Sequence, residues 1–120
     1  GLESGENSEF GTATLRARHF TKLGERFSTV HVSGRASGRI VHMMNPLYYI
    51  GKKGTTVALH WRIRHGSVDR DTSLAIPAIL ALRLQNTGYD VDFAVPWNQG
   101  HGGDYDLDEL FAWIDGILKK

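Results

Sequence analysis

His101, with either Asp69 or Asp71, offers the side chains in this 120-residue sequence whose types and settings best suit proton transfer. Asp69 and Asp71 follow an alternating apolar segment, Val57, Leu59, Trp61 and Ile63, and His101 follows another, Val91, Phe93 and Val95. Each therefore sits on a loop leaving the C-terminal end of an expected strand, where parallel α/β sheets gather their functional residues. If the strands are neighbours, the loops lie side by side and the carboxylate can hold one nitrogen of the imidazole. That contact fixes the tautomer and stabilises the imidazolium while the other nitrogen takes a proton from a nucleophile. The order acid before base suits chains in which the nucleophile comes earlier still. A competing reading has Asp69 and Asp71 capping the following helix and His101 as a solvated loop residue.

The remaining chemical candidates are weaker. His60 and His65 are explained structurally, one on a strand face and one at the strand end before Gly66, and His19, His31 and His42 have no spacing that pairs them. A metal held by His65, Asp69 and His101 is conceivable from ligand type but lacks a spacing signature. Asp104, Asp106 and Asp108 mimic the start of a calcium loop, yet Glu109 stands where the turn requires glycine. No Gly-x-Ser-x-Gly elbow occurs, and Ser33-Gly-Arg-Ala-Ser37-Gly38 does not supply one, so the chain carries at most two members of a triad. With no cysteine there is no thiol nucleophile, disulfide or Cys-ligated metal.

The elements that must position these carboxylates and His101 lie in the second half. After the first strand, residues 73–87 are apolar almost all round and closed by Gly88, which predicts a buried helix with Pro77 in its first turn or just before it. A strand follows, stopped by Pro96, then a Gly-rich loop carrying His101. Leu107, Leu110, Phe111, Ile114, Ile117 and Leu118 give an amphipathic terminal helix, with Asp106 as N-cap and Glu109 completing a capping box. Strand, helix, strand, helix is the grammar of a parallel sheet with helices on its faces. Two strands are too few for such a sheet, so this half is expected to belong to a larger α/β protein.

Residues 1–54 differ in character. They hold eight Lys/Arg against four Asp/Glu (+4) and eight of the 14 glycines, whereas residues 55–120 hold six against nine (−3). The first part is expected to be irregular, apart from a short strand near residues 27–32 and an apolar stretch over residues 40–50 broken at Asn45-Pro46. Its basic residues are scattered rather than clustered with aromatics, so nucleic acid is not an expected partner. Neither is a membrane: the longest apolar run, near residues 74–82, is far short of a span, and the N-terminus lacks the order of a signal peptide. A 41% hydrophobic chain of this length can build one small domain at most.

Three stretches go beyond pattern: Trp61-Arg-Ile-Arg-His-Gly-Ser-Val-Asp69-Arg-Asp71-Thr-Ser-Leu-Ala-Ile-Pro77, then Val91-Asp-Phe-Ala-Val-Pro-Trp97, then His101-Gly-Gly-Asp-Tyr-Asp-Leu-Asp-Glu-Leu-Phe-Ala-Trp-Ile-Asp115. Together they resemble the C-terminal end of bacterial tannases, α/β-hydrolase serine esterases related to feruloyl esterases. Arg18-His-Phe-Thr21 and Met44-Asn-Pro46 resemble the segment that precedes it in that family. The resemblance implies the C-terminal part of an α/β-hydrolase fold in residues 55–120, preceded by part of a lid-like insert in residues 1–54. It implies cofactor-free hydrolysis of galloyl or related phenolic esters by Ser, His and Asp. Asp69 is then the triad acid, His101 the general base, Asp71 the carboxylate that accepts from the phenolic hydroxyls, and Glu9 a second galloyl contact. The nucleophile, the oxyanion loop and a galloyl-binding Lys have no counterpart here, so the chain is expected to need the N-terminal remainder of the hydrolase and to be inactive alone. The rival expectation is a non-catalytic binding or assembly module, or an inactive remnant.

Overall fold

Alternating side chains set the central pairing. In β1 (His60–Arg64) and β2 (Asp90–Ala94), which run parallel, Trp61 and Ile63 stand opposite Val91 and Phe93, and the charged Arg62 stands opposite Asp92. Successive residues of a strand point to opposite faces, so one face of this ribbon is apolar and the other carries Arg62, Arg64 and Asp92. Expected from Val57, β1 begins only at His60 because its ladder partner begins at Asp90. β2 likewise stops before Val95, where Pro96 cannot donate to a ladder. His60 Nδ1 lies 2.8 Å from Asp90 Oδ2 at the entry of the pair.

The computed structural model describes residues 9–11, 18–28, 34–103 and 105–119, in two units, Gly1–Tyr49 and Ile50–Lys120. In the first unit, expected to be irregular, α1 (Lys22–Arg26) is capped by Thr21, whose Oγ1 accepts from the Gly24 N–H at 2.9 Å. An isolated bridge joins His19 to Arg35, and Arg35 is paired with Glu25 at 3.2 Å. α2 (Gly38–Met44) ends at Asn45, which then caps a 3-10 turn over Pro46–Tyr48 by accepting from the Leu47 N–H. The Asn45-Pro46 break thus separates two short helical pieces. Of the strand expected near residues 27–32, Phe27 is instead the C-cap of α1 and residues 29–32 lie outside the described residues.

In the second unit α3 (Ala75–Asn86) connects the two strands and packs chiefly on β2. Pro77 is its third residue, among the first four whose N–H groups have no helical partner in any case. Its end is a Schellman motif: Gly88, at φ +93°, donates to Gln85 O, and Tyr89 donates to Leu84 O. Burial of α3 is one-sided rather than complete. Ala81 and Leu84 are buried, while Ile76, Ile79 and Leu82 are each at least half exposed. α4 (Leu107–Leu118) is the expected terminal helix, but the capping box does not form, because no side chain caps it and the Asp106 carboxylate is drawn away by two guanidinium groups. The described architecture is a small α/β domain of two parallel strands and several helices. Among the described residues no helix is long and apolar enough to cross a membrane.

Candidate functional site

The loops that leave β1 and β2 are stitched together before either reaches its chemical residue. The His65 N–H donates to Ala94 O, Ser67 N–H to Pro96 O and Val68 N–H to Gln99 O, and Ser67 Oγ accepts from the Asn98 N–H. The approach is so close that only glycine fits at position 66, where a Cβ would stand 2.1 Å from Gln99 O and 2.4 Å from Gly100 O. Asn98 turns the second loop with a left-handed φ of 56°, a region that Asn tolerates better than most residues.

This stitching brings Asp69 and His101 together. His101 Nδ1 lies 3.1 Å from Asp69 Oδ2. The other carboxylate oxygen, Oδ1, accepts from the backbone N–H groups of Asp71 (2.8 Å) and Thr72 (3.1 Å). The Asp69 side chain is 6% exposed and that of His101 43%. Burial works against the Asp69 charge, but the donations from Thr72, Asp71 and His101 outweigh it and hold the carboxyl at about 2, below the ordinary carboxylate range. Asp69 therefore does cap, but it caps its own turn and not, as the competing reading has it, the following helix; Leu74, the N-cap of α3, makes no side-chain cap.

Asp71 is exposed, and its carboxylate belongs with Asp69 and His101 to a group whose ligand-type atoms lie within 4.8 Å of one another. That group differs from the His65, Asp69 and His101 set conceived from the sequence. Two of its members, Asp69 and His101, are already hydrogen-bonded to each other. Glu9 is exposed in a turn of the first unit. Of the calcium-loop pattern, Asp104 lies outside the described residues and the Asp106 carboxylate is committed to Arg62 and Arg64.

Sequence reasoning missed two contributors. His65, explained structurally from the sequence and otherwise weighed only as a metal ligand, lies within the surroundings of Asp69: its ring is 7% exposed, with Nε2 2.9 Å from Thr72 O and 3.5 Å from Asp69 Oδ2. Its i,i+4 spacing from Asp69 was the available signal. The second is an anchor at the far end of the His101 loop. Asp106 accepts from Arg62 Nη2 and, at 3.2 Å, from Arg64 Nε, while Arg64 makes a two-pronged pair with Asp92 at 2.7 and 3.0 Å. Hydrogen bonding from Arg62 is the main cause lowering the Asp106 pKa, and from Arg64 the main cause lowering that of Asp92. A cavity of about 450 Å³ opens beside His65 and Asp69, bordered by Ser67, Arg70, Leu74 and Val95.

The sequence matches no family model and no curated protein. Among solved structures it is similar to the tannin acyl hydrolase of Lactobacillus plantarum, with 53% identity and a TM-score of 0.77 over 97% of this chain and 25% of that one. A tannin acyl hydrolase in complex with ethyl gallate matches at 53% identity and a TM-score of 0.76, over 97% of this chain and 25% of that one. The tannase of Fusobacterium nucleatum matches at 50% identity and a TM-score of 0.70, over 95% and 25%. The chain thus spans about a quarter of the length of the tannases it matches. With half its residues identical to theirs over nearly its whole length, the chain belongs to the tannase family, as a C-terminal part.

Proposed function

We propose that this chain supplies the acid and the base of a tannase-type serine esterase that cleaves galloyl or related phenolic esters, within an α/β-hydrolase fold whose nucleophile lies outside these 120 residues. The hydrogen bond between His101 Nδ1 and Asp69 Oδ2 carries the reading. Asp69, ionised far into the acid range, holds the Nδ1 tautomer and the ring plane. Nε2 then takes the proton of a serine hydroxyl as it attacks the ester carbonyl, and returns it to the departing alcohol. Water repeats the cycle on the acyl-enzyme with the same base. No group beyond amino-acid side chains is needed for these steps.

Asp71 is the proposed substrate carboxylate. An exposed carboxylate beside the acid–base pair can accept from adjacent ring hydroxyls, and an ester without those hydroxyls would leave it covered and unpaired. The ethyl gallate complex of a family member supports this class of substrate. Glu9 is proposed as a further galloyl contact on the resemblance alone.

The test uses a full-length enzyme in which this chain replaces the matching quarter of the L. plantarum tannase. His101→Ala and Asp69→Asn are each expected to lower kcat on ethyl gallate by about 10³-fold or more. Turnover within tenfold of the parent in both variants would remove the catalytic assignment.

A further inference from the structure

We propose that His65 is a positioning residue for Asp69, a second imidazole that helps fix the acid beside His101; the proposal rests on the catalytic reading above. A carbonyl oxygen only accepts, so the 2.9 Å contact between His65 Nε2 and Thr72 O places a proton on Nε2. Thr72 in turn donates its own N–H to Asp69 Oδ1 at 3.1 Å, and the same His65 nitrogen lies 3.5 Å from Asp69 Oδ2. His65 and the Thr72 peptide therefore bracket the carboxylate, leaving Oδ2 directed toward His101. Through its backbone N–H, His65 is also tied to Ala94 O at the end of β2, so the bracket is referenced to the strand pair and not to the loop alone.

The other ring nitrogen separates this role from mere filling of space. His65 Nδ1 is buried and, among the described residues, has no hydrogen-bond partner. An unpaired buried acceptor opposes folding, so a ring present only for packing would be replaced by phenylalanine at little cost or with a gain in stability. What phenylalanine cannot replace is the Nε2 proton.

In the full-length chimera, His65→Phe is expected to lower kcat on ethyl gallate by about 10-fold to 100-fold, the scale of a misaligned catalytic group, with KM changed less than about twofold. His65→Gln, whose amide N–H reaches about as far as Nε2, is expected to recover most of that loss. In an Asp69→Asn background His65→Phe is expected to cost nothing further, since residues acting as a unit are not additive. Full kcat in His65→Phe, or an undiminished loss in the Asp69→Asn background, overturns the proposal while His101→Ala and Asp69→Asn remain inactive. Should His65→Phe not fold, His65→Asn, with an amide too short to reach Thr72 O, decides the matter by the same criterion: full kcat overturns it. Normal turnover in both His101→Ala and Asp69→Asn removes the catalytic reading itself, and this proposal with it.

Discussion

Gly66 carries no chemistry, yet its replacement by alanine is the sharpest way to ask whether loop contact builds the site. The Cβ would stand 2.1 Å from Gln99 O and 2.4 Å from Gly100 O, both backbone atoms that cannot rotate aside. Restoring even a tight 3.0 Å separation from Gln99 O moves the loops apart by about 0.9 Å. His101 is the next residue after Gly100, and Asp69 lies three residues beyond Gly66. A shift of that size carried through to the pair stretches its 3.1 Å contact to about 4 Å, which is no longer a hydrogen bond. Overpacking of this kind costs about 1–3 kcal/mol of stability, and a displacement near 1 Å costs about 10²-fold in rate. The assay is kcat/KM on ethyl gallate in the full-length chimera, beside the thermal midpoint and the His101 imidazole NMR signals. A Gly66→Ala enzyme with parental kcat/KM and unshifted His101 signals would refute the claim that the stitched loops set the Asp69–His101 geometry.

The other expectations are independent of that one. Asp69, lowered to about 2, contributes stability that is present above its unfolded value near 4 and is lost as pH falls through about 2; a ¹³C titration of its carboxyl with a midpoint at or above 4 would contradict the hydrogen-bonding account. Asp92 and Asp106 are lowered in the same sense, so Asp106→Asn is expected to reduce the thermal midpoint at neutral pH, with the gap to the parent narrowing once the pH drops below the ordinary carboxylate range. A gap that stays constant down to pH 2 would mean the Arg62 and Arg64 contacts contribute nothing through charge. Asp71→Asn is expected to reduce the preference for ethyl gallate over ethyl benzoate by about 10-fold to 100-fold, read from the ratio of kcat/KM values; an unchanged ratio removes Asp71 from substrate recognition. On α3, Ile76, Ile79 and Leu82 are at least half exposed in this chain, and if the rest of the full-length chimera covers that row, Ile79→Asp is expected to cost about 2 kcal/mol or more. An unaltered thermal midpoint would leave the row facing solvent.

How far the sequence reached depended on whether a feature was periodic. The two strands, their parallel relation and the helix between them follow from alternation at 60–64 and 90–94 and from the Gly88 stop, all written in consecutive residues. Strand ends were less legible because each is set by the partner's length, as at His60 and Asp90. Burial of α3 was misjudged for a related reason: an apolar residue signals a face that is to be covered, whereas the atoms covering it need not lie in the same 120 residues. Asp106 was read locally, as a cap, when its partners Arg62 and Arg64 stand more than forty positions earlier. A capping carboxylate and an ion-paired one are indistinguishable in sequence, and charge-assisted bonds from two guanidinium groups outweigh one backbone N–H.

Asp69 shows why two readings of one residue need not compete. The sequence offered a helix-capping aspartate and a catalytic one as alternatives; the cap is made on its own turn instead, and because a carboxylate has two oxygens the structure divides them. Oδ1 accepts the backbone N–H groups of Asp71 and Thr72, and Oδ2 is left to face His101 and His65. The cap is what makes the proposed acid usable. Held by two rigid backbone donors, Oδ2 cannot rotate away from the imidazole, and the same donors keep the group charged where a buried carboxyl would otherwise take up a proton. A side chain placed by capping its own turn is already oriented before any substrate arrives, which is the condition for electrostatic help that costs no reorganisation during the reaction.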